Sequence, residues 1–433
     1  MKSPKEKIFT PYQIFVIAML AFLQFSVILD FMVLAPLGVI LMKTLSIPPS
    51  KFSMVVSAYA FAAGASSLLA AGFADRFDRK KLLMFFYSGF ILGTALCGLA
   101  PDFNTLLIAR IITGIFGGVI GSIGFAIITD LFKMEVRGRV MGFVQMSFAA
   151  SQVLGIPIGL LLANRFGWHS CFWMIAGLGS VAGVVMFIYL KPVTGHLQYR
   201  SDTHPLRHLL RTVSKPEYAF AFLTMTLLAS AGFMLMPFGS AFTTHNLGLS
   251  IDQLPMMYLI TGIFSIALGP IAGKLSDKIG KYKLFVYGTI VAMITVGIYT
   301  QLGVTPFWLA CIFSVAVFAS FTARMIPASA LMTAIPSPED RGAFMSVNAA
   351  VMQSSGGLFS VLAGMIVTQS SSGMIEHYDI LGYTVIGLMG LMTVMMYRIN
   401  STINKRHLQR SSTDPISGEE AAIEMEIATG GEY

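Results

Sequence analysis

The sequence predicts an all-α integral membrane protein, with twelve transmembrane helices in two pseudo-symmetric six-helix bundles. Three observations predict it. Of 433 residues, 55% are hydrophobic and 12% charged, against about a quarter charged in an ordinary soluble domain. Twelve apolar stretches reach the roughly 20 residues that a spanning helix needs. Two polar loop sequences also recur, in the same order, in the two halves of the chain.

The spans fall at 13–42, 52–73, 82–100, 104–131, 140–163, 170–190, 218–244, 254–273, 284–303, 306–332, 343–369 and 380–397. The first follows the basic "MKSPKEKIFT". Its apolar run is too long for a signal-peptide core and has no cleavage signature, so it reads as an uncleaved helix. The longest polar stretch between spans, 191–217, comes after six of them, and an acidic, polar tail follows the twelfth. The expected organisation is an N-terminal bundle over 1–190, a central loop over 191–217, a C-terminal bundle over 218–398 and a disordered tail over 399–433.

With a cytoplasmic N-terminus, 24 Lys and Arg fall on cytoplasmic segments and three, Lys43, Lys51 and Arg165, fall outside. That asymmetry predicts both termini in the cytoplasm. It also accounts for the net charge of +8, so no nucleic-acid partner is called for. The compact loops suit a bacterial inner (plasma) membrane. Cys97, Cys171 and Cys311 lie far apart, in neither a disulfide framework nor a metal spacing. No metal and no cofactor is expected.

The repeated loops set the symmetry. "AGFADRFDRKKL" (71–82) follows the second span and "GKLSDKIGKYKL" (273–284) the eighth, an offset of 202. "EVRGRVMG" (135–142) follows the fourth span and "EDRGAFMS" (339–346) the tenth, an offset of 204. Both pairs fall on the cytoplasmic side, as parallel repeats require.

These loops, with "ARIITGIFGGVIG" (109–121) and "GIPIGLLLANRFGWHSCF" (155–172), give the chain a resemblance to transporters of the major facilitator superfamily, from about residue 12 to 398. Loop 71–82 keeps Asp75, Arg76, Arg79 and Lys80 of the family signature, but has Ala71, Phe73 and Asp78 where Gly, Leu and Gly are usual. Its second copy keeps Gly273, Leu275, Asp277, Gly280 and Lys281. Arg110 is the basic residue of the fourth-helix pattern. Segment 155–172 resembles the fifth-helix motif of proton-coupled drug and sugar (metabolite) efflux antiporters, with Pro157 one place late and Leu160 at the second glycine. The resemblance implies the major facilitator fold and transport by alternating access.

An aspartate is favoured at a helix N-terminus by the unpaired N–H groups and the dipole there. Asp75 is therefore expected to latch the start of the eleventh helix near Gly342, and Asp277 the start of the fifth near Gly138. Arg79, Lys80 and Asp130 would form a charge cluster beside them, and Arg76, Arg137 and Arg341 belong to the same cytoplasmic gate. The open alternative is that these charges only set topology. In the fourth span Arg110, Gly114, Gly117, Gly121 and Gly124 share one face, being spaced by four and three. Small residues let membrane helices approach closely. Together with Gly155, Pro157 and Gly159 in the fifth span, and Gly262, Gly269 and Gly273 in the eighth, they mark seams that serve packing alone or movement as well.

Apart from Asp130 at the end of the fourth, Asp30 is the only carboxylate inside any span, and it has no basic residue within ten positions. A charge at the bilayer centre costs at least about 2.5 kcal/mol. Arg110 lies at similar depth in the same bundle, by the 1.5 Å rise per residue, and is the expected partner. Burial and a neighbouring guanidinium act on a carboxyl in opposite senses. A change in their separation would then take up or release a proton, making Asp30 and Arg110 the proton-coupling pair. A static buried ion pair is the alternative. Arg324, beside Pro327, either faces the central cavity or meets carbonyls freed near the proline. Gln24, Ser26, Gln145, Gln152, Phe233, Asn348 and Gln353 are further substrate-cavity candidates, or else bridges between helices.

The expected protein is a monomeric secondary active transporter in the lipid bilayer. It would export a small lipophilic or polar-neutral molecule (a drug, sugar or metabolite) in exchange for protons. A proton symporter or facilitator for uptake, and a transporter-like membrane sensor, remain as alternatives. The chain has no "GKS/T" phosphate loop, no His-Glu metal cluster and no nucleophile elbow, so neither an enzyme nor an ATP-driven pump is expected.

Overall fold

The computed structural model describes residues 9–70, 73–198, 211–337 and 340–413. Among the described residues twelve helices are long and apolar enough to cross a membrane: α1 (Pro11–Val33), α2 (Pro49–Ala70), α3 (Arg79–Leu99), α4 (Phe103–Leu131), α5 (Val136–Phe166), α6 (His169–Tyr189), α7 (Pro216–His245), α8 (Ile251–Ile279), α9 (Lys281–Tyr299), α10 (Phe307–Met332), α11 (Ala343–Ile366) and α12 (Tyr378–Lys405).

Polar residues at the ends of the apolar runs set these boundaries. Thr10 and Gln13 form a capping box at α1, with Pro11 at its first position: Gln13 Oε1 accepts from the Thr10 N–H at 3.0 Å and Thr10 Oγ1 from the Gln13 N–H at 3.2 Å. Asp78 caps α3, accepting from the Lys80 N–H at 2.9 Å, and Asp102 caps α4, accepting from the Thr105 N–H at 2.8 Å. The same Asp78 oxygen accepts from the Val193 N–H at 3.0 Å, tying the central loop to α3. Gly167 and Gly280 close α5 and α8 at φ of 84° and 92°, where a side chain would be strained.

Three boundaries depart from the sequence reading. The first span is not one helix: α1 stops at Val33, the chain turns through 34–37, and a short helix Gly38–Thr44 follows. Pro36 supplies the break, since it has no N–H to continue the ladder. Helix α5 contains a π turn over Ser151–Gly155, immediately before Pro157, where a wider turn accommodates the missing N–H. At the other end the helix of α12 runs on to Thr413, so the expected boundary at 398 falls inside it. Residues 399–413 hold no Gly or Pro to stop a helix. The remainder of the acidic tail, 414–433, lies outside the described residues.

An even number of spans brings both described ends to one face, here the proximal face. The two halves of the chain meet near the opposite, distal face. Between α5 and α8, Asn164 Nδ2 donates to the Ile251 carbonyl at 3.2 Å and to Asp252 Oδ1 at 3.4 Å. A Cβ added at Gly262 would lie 2.9 Å from Val153 and 3.1 Å from the Gln152 backbone. Between α2 and α11, Ser360 Oγ donates to the Ser53 carbonyl at 3.4 Å, and Gly364 admits the Ser53 side chain. Ser240 Oγ donates to the Ala35 carbonyl at 3.0 Å, and Phe52 packs edge-on to Phe238.

Toward the proximal face α5 and α8 part, while α2 stays against α11 at Gly64, where an added Cβ would lie 3.1 Å from the Ala350 carbonyl oxygen. Added Cβ atoms at Gly138 and Gly142 on α5, or at Gly269 and Gly273 on α8, would meet no atom within 4 Å. Of the expected α8 seam, only Gly262 is at a helix contact; Gly269 and Gly273 are not, because the halves have diverged at their depth. Along α5 and α8 the conformation is closed distally and open proximally.

On the proximal side α7 and α11 are tied at their starts. Lys215 is paired with Asp340, whose carboxylate also accepts from Tyr218 Oη at 2.9 Å and Ser337 Oγ at 3.1 Å. The Lys215 hydrogen bond above all, helped by Tyr218 and Ser337, holds the Asp340 carboxyl at about 2. Because this lies below the ordinary value of about 3.9, its contribution is complete above that value. It is lost as pH falls from there through about 2. The thermal stability of the purified protein is expected to fall over that acid window, and Asp340→Asn to remove this part of the acid dependence.

Candidate functional site: a buried ion pair on an aromatic ring

Asp30 on α1 and Arg110 on α4 meet in the interior. Arg110 Nη1 donates to Asp30 Oδ2 at 2.6 Å and lies 3.5 Å from the Asp30 carbonyl; both side chains are 0% exposed. Thr94 Oγ1, from α3, donates to the other carboxylate oxygen at 3.2 Å. The Arg110 guanidinium carbon stands 4.5 Å from the centre of the Tyr59 ring on α2. Its Nε and Nη2 find no hydrogen-bond partner among the described residues, so the ring face and one carboxylate carry the cation. Breaking such a pair by removing one partner leaves an uncompensated buried charge. Adding a proton to Asp30 does the same without a mutation.

The packing that sets this geometry runs along α4. An added Cβ at Gly114 would come 2.5 Å from the Tyr59 carbonyl oxygen, and one at Gly117 2.7 Å from the Tyr59 hydroxyl. Gly118, outside the predicted stripe, meets the Ala63 backbone still more closely. Gly121 and Gly124 are looser, at 3.3 Å from Gln24 and 3.6 Å from Leu20. On α5, Gly155 admits Leu29 and Gly159 admits Cys171, so both seat α5 against neighbours in its own half. Ser147 and Ser151 bind α5 to α1 through the Ala21 and Phe25 carbonyls, at 2.6 and 3.1 Å.

The cavity candidates divide. Gln24 faces Gly121, and Gln152 is buried where α5 meets α8 at Gly262. Phe233 is half-buried against Gly356 and Phe31. Asn348 is buried, with an Oδ1 that lacks a partner among the described residues. Gln145 is exposed and Gln353 half-buried. Ser26 is turned back on its own helix, donating to Phe22 at 3.0 Å.

Arg324 is a correction. It is 1% exposed, and its Nε donates to Thr289 on α9 at 3.2 Å while Nη2 points to Met392 Sδ on α12 at 3.4 Å. It therefore sits inside the C-terminal half and not on the space between halves, because its helical face turns toward α9 and α12. A hydroxyl and a thioether compensate a buried cation poorly. Arg324→Met is accordingly expected to unfold within about 1 kcal/mol of wild type or to be more stable, measured by thermal denaturation in detergent.

Among the described residues, two of the charges expected at the gate meet. Arg79 Nε lies 3.3 Å from Asp130 Oδ2. Lys80 does not join them; it donates to the Phe187 carbonyl on α6 at 2.9 Å. Arg137 donates to the Phe132 and Thr129 carbonyls at 2.9 and 2.6 Å. Arg76 and Asp277 are exposed. Asp277 makes no latch at Gly138, whose surroundings are empty because the halves are apart there. The side chains of Asp75 and Arg341, and the surroundings of Gly342, lie outside the described residues.

Tyr59 and Thr94 were not singled out by the sequence. Each is one polar residue in an apolar span, and only the packing of α2 and α3 on α4 shows which of many such residues faces Arg110.

Twelve spanning helices around a buried ion pair, open to one face and closed to the other, define a polytopic membrane transporter. The chain belongs to the Major Facilitator Superfamily, whose family model matches residues 20–361 and 221–418. It is 26% identical over 359 residues to the inner membrane transport protein YdhP of Escherichia coli (strain K12), covering 82% of this chain and 88% of that one. It is 34% identical over 152 residues to Multidrug resistance protein 3 of Bacillus subtilis (strain 168), but that match spans only 35% of this chain and 30% of its relative. A bacterial homologue of the lysosomal transporter Spinster, solved in an inward-facing and unoccupied conformation, superposes with a TM-score of 0.73 at 17% identity, over 92% of this chain and 98% of that one.

Proposed function

We propose that the protein is a proton-coupled exporter of a small lipophilic or polar-neutral molecule. It works as a monomer in the bacterial inner membrane with both termini in the cytoplasm. The proximal face is then cytoplasmic, as the excess of Lys and Arg on its segments supports, and this conformation is the cytoplasm-open one. The bundles 1–190 and 218–398 rock about the central space, with Asp75 and Asp277 latching the proximal side in the opposite state.

The observation that carries the reading is the fully buried Asp30–Arg110 pair. A carboxyl held there by one guanidinium can lose its charge within a cycle, and intramembrane acids mark ion pathways. The relative named for multidrug resistance supports export, as does the 22% identity over 236 residues to a probable sugar efflux transporter of Helicobacter pylori (strain G27).

The test is proton movement in proteoliposomes under an imposed pH gradient. A panel of lipophilic cations, neutral antibiotics, sugars and anionic metabolites is added to wild type and to Asp30→Asn. Proton flux that depends on one class and disappears in the variant is the expected result. Equal substrate flux in both proteins, without proton movement, would make the protein a facilitator.

A further inference from the structure

Three aromatic rings run without a break from the ion pair to the opposite half. Tyr59 lies beneath the Arg110 guanidinium at 4.5 Å. Its carbonyl and hydroxyl are seated on Gly114 and Gly117, so Tyr59 travels with the stretch of α4 that bears Arg110. The Tyr59 ring packs on Phe31, with centroids 5.3 Å apart, and Phe31 is the residue after Asp30. Phe31 packs on Phe233 of α7 at 6.0 Å. Phe233 rests on α11, where a Cβ at Gly356 would be 2.7 Å from its ring. The contacts of Ala35, in the turn after α1, and of Phe52, at the start of α2, with Ser240 and Phe238 of α7 lie nearer the distal face. Phe31 with Phe233 is therefore the contact between α1 and α7 that stands nearest the ion pair.

The geometry points to Tyr59, Phe31 and Phe233 as a relay that transmits the charge state of the Asp30–Arg110 pair to the distal closure between the halves. It rests on the proton-coupled reading above. With Asp30 ionised, the guanidinium is held between the carboxylate and the ring. With Asp30 protonated, the ring is the strongest remaining attraction, and a desolvated cation over an aromatic face is well held. The guanidinium then settles on Tyr59, Tyr59 presses on Phe31, and the Phe31–Phe233 contact releases the distal seam. The three are positioning residues: none exchanges the proton. The titratable and charged groups around Asp30 are Tyr59 on α2, Cys97 on α3, Arg110 on α4 and Cys171 on α6. Of these groups and Asp30 itself, only the carboxyl ordinarily titrates below about pH 7.

The experiment reads the distal separation directly, without a substrate. Spin labels are placed on Lys43→Cys and Val304→Cys, both exposed beyond α1 and α9, in full-length protein whose three native cysteines are replaced by serine. Distances are measured in lipid nanodiscs across about pH 5 to 9. The parent is expected to lengthen its distal distance as pH falls, and Asp30→Asn to abolish the response. Phe233→Leu keeps bulk without a ring and is expected to shrink the response at least about fivefold, with Phe233→Tyr restoring it. Tyr59→Phe keeps the parent midpoint. Tyr59→Leu moves it to lower pH, because a guanidinium without its ring disfavours the protonated state of its partner.

Parent-like distances in Phe233→Leu and Tyr59→Leu at every pH, with the response still lost in Asp30→Asn, would overturn the relay and leave proton coupling standing. No pH response in the parent, unchanged in Asp30→Asn, would instead bring down the proton-coupled reading and the relay with it.

Discussion

Asp30→Asn is expected to abolish proton-coupled transport and to destabilise the protein, and Asp30→Asn combined with Arg110→Gln to recover stability without recovering transport. Removing one member of a buried pair costs roughly 3–5 kcal/mol, because the surviving charge is left uncompensated. Here the Tyr59 face offsets part of it, about 2 kcal/mol for a desolvated cation over a ring. A loss of about 1–3 kcal/mol is left for Asp30→Asn. Arg110→Gln alone is expected to cost less. Its partner can escape by taking a proton, whereas a guanidinium cannot give one up. The two single variants thus separate the roles by the sign of their difference, read by thermal unfolding in detergent. In liposomes, transport against a pH gradient at wild-type rates by Asp30→Asn would make the pair structural.

The second large effect is expected at Gly118. A side chain there meets the backbone carbonyl of Ala63 on α2, which cannot rotate away as a side chain could. Gly118→Val should therefore cost about 3 kcal/mol, the upper end of the usual overpacking range, and displace α4 with Arg110 on it. Gly124→Ala is the control. Its nearest neighbour is the Leu20 side chain at 3.6 Å, so a change within about 0.5 kcal/mol is expected. Thermal unfolding distinguishes the two, and equal stabilities would show that the close approach of α2 and α4 is not a rigid constraint.

The same helix shows how far the site was legible. Period-three-and-four spacing placed Arg110 and its glycines on one face, but that face is wide. It did not reveal that Gly118 approaches a backbone more closely than Gly121 does. Depth, counted in residues from each helix end, was enough to match Asp30 with Arg110 across 80 positions of sequence. The same counting gave no bearing for Arg324, because depth says nothing of azimuth, and its face turns to α9 and α12.

The Pro36 break shows the complementary limit. Apolar composition is continuous through it, and length alone made one span of a helix, a turn and a second short helix. On α8, Gly262 and Gly269 read alike in sequence, yet one meets α5 and the other meets nothing. That difference belongs to the conformation: the two halves diverge toward the proximal face.

By itself the sequence determined the twelve spans, the two matched halves and the intramembrane acid, since each follows from hydropathy, local repetition and charge counted along the chain. Only the tertiary structure decided which aromatic ring underlies Arg110, which glycines are contacts and which face is open. Those depend on the rotation of each helix about its axis and on the tilt of one half against the other. Neither leaves a periodic trace in a chain whose lipid-facing and buried surfaces are both apolar.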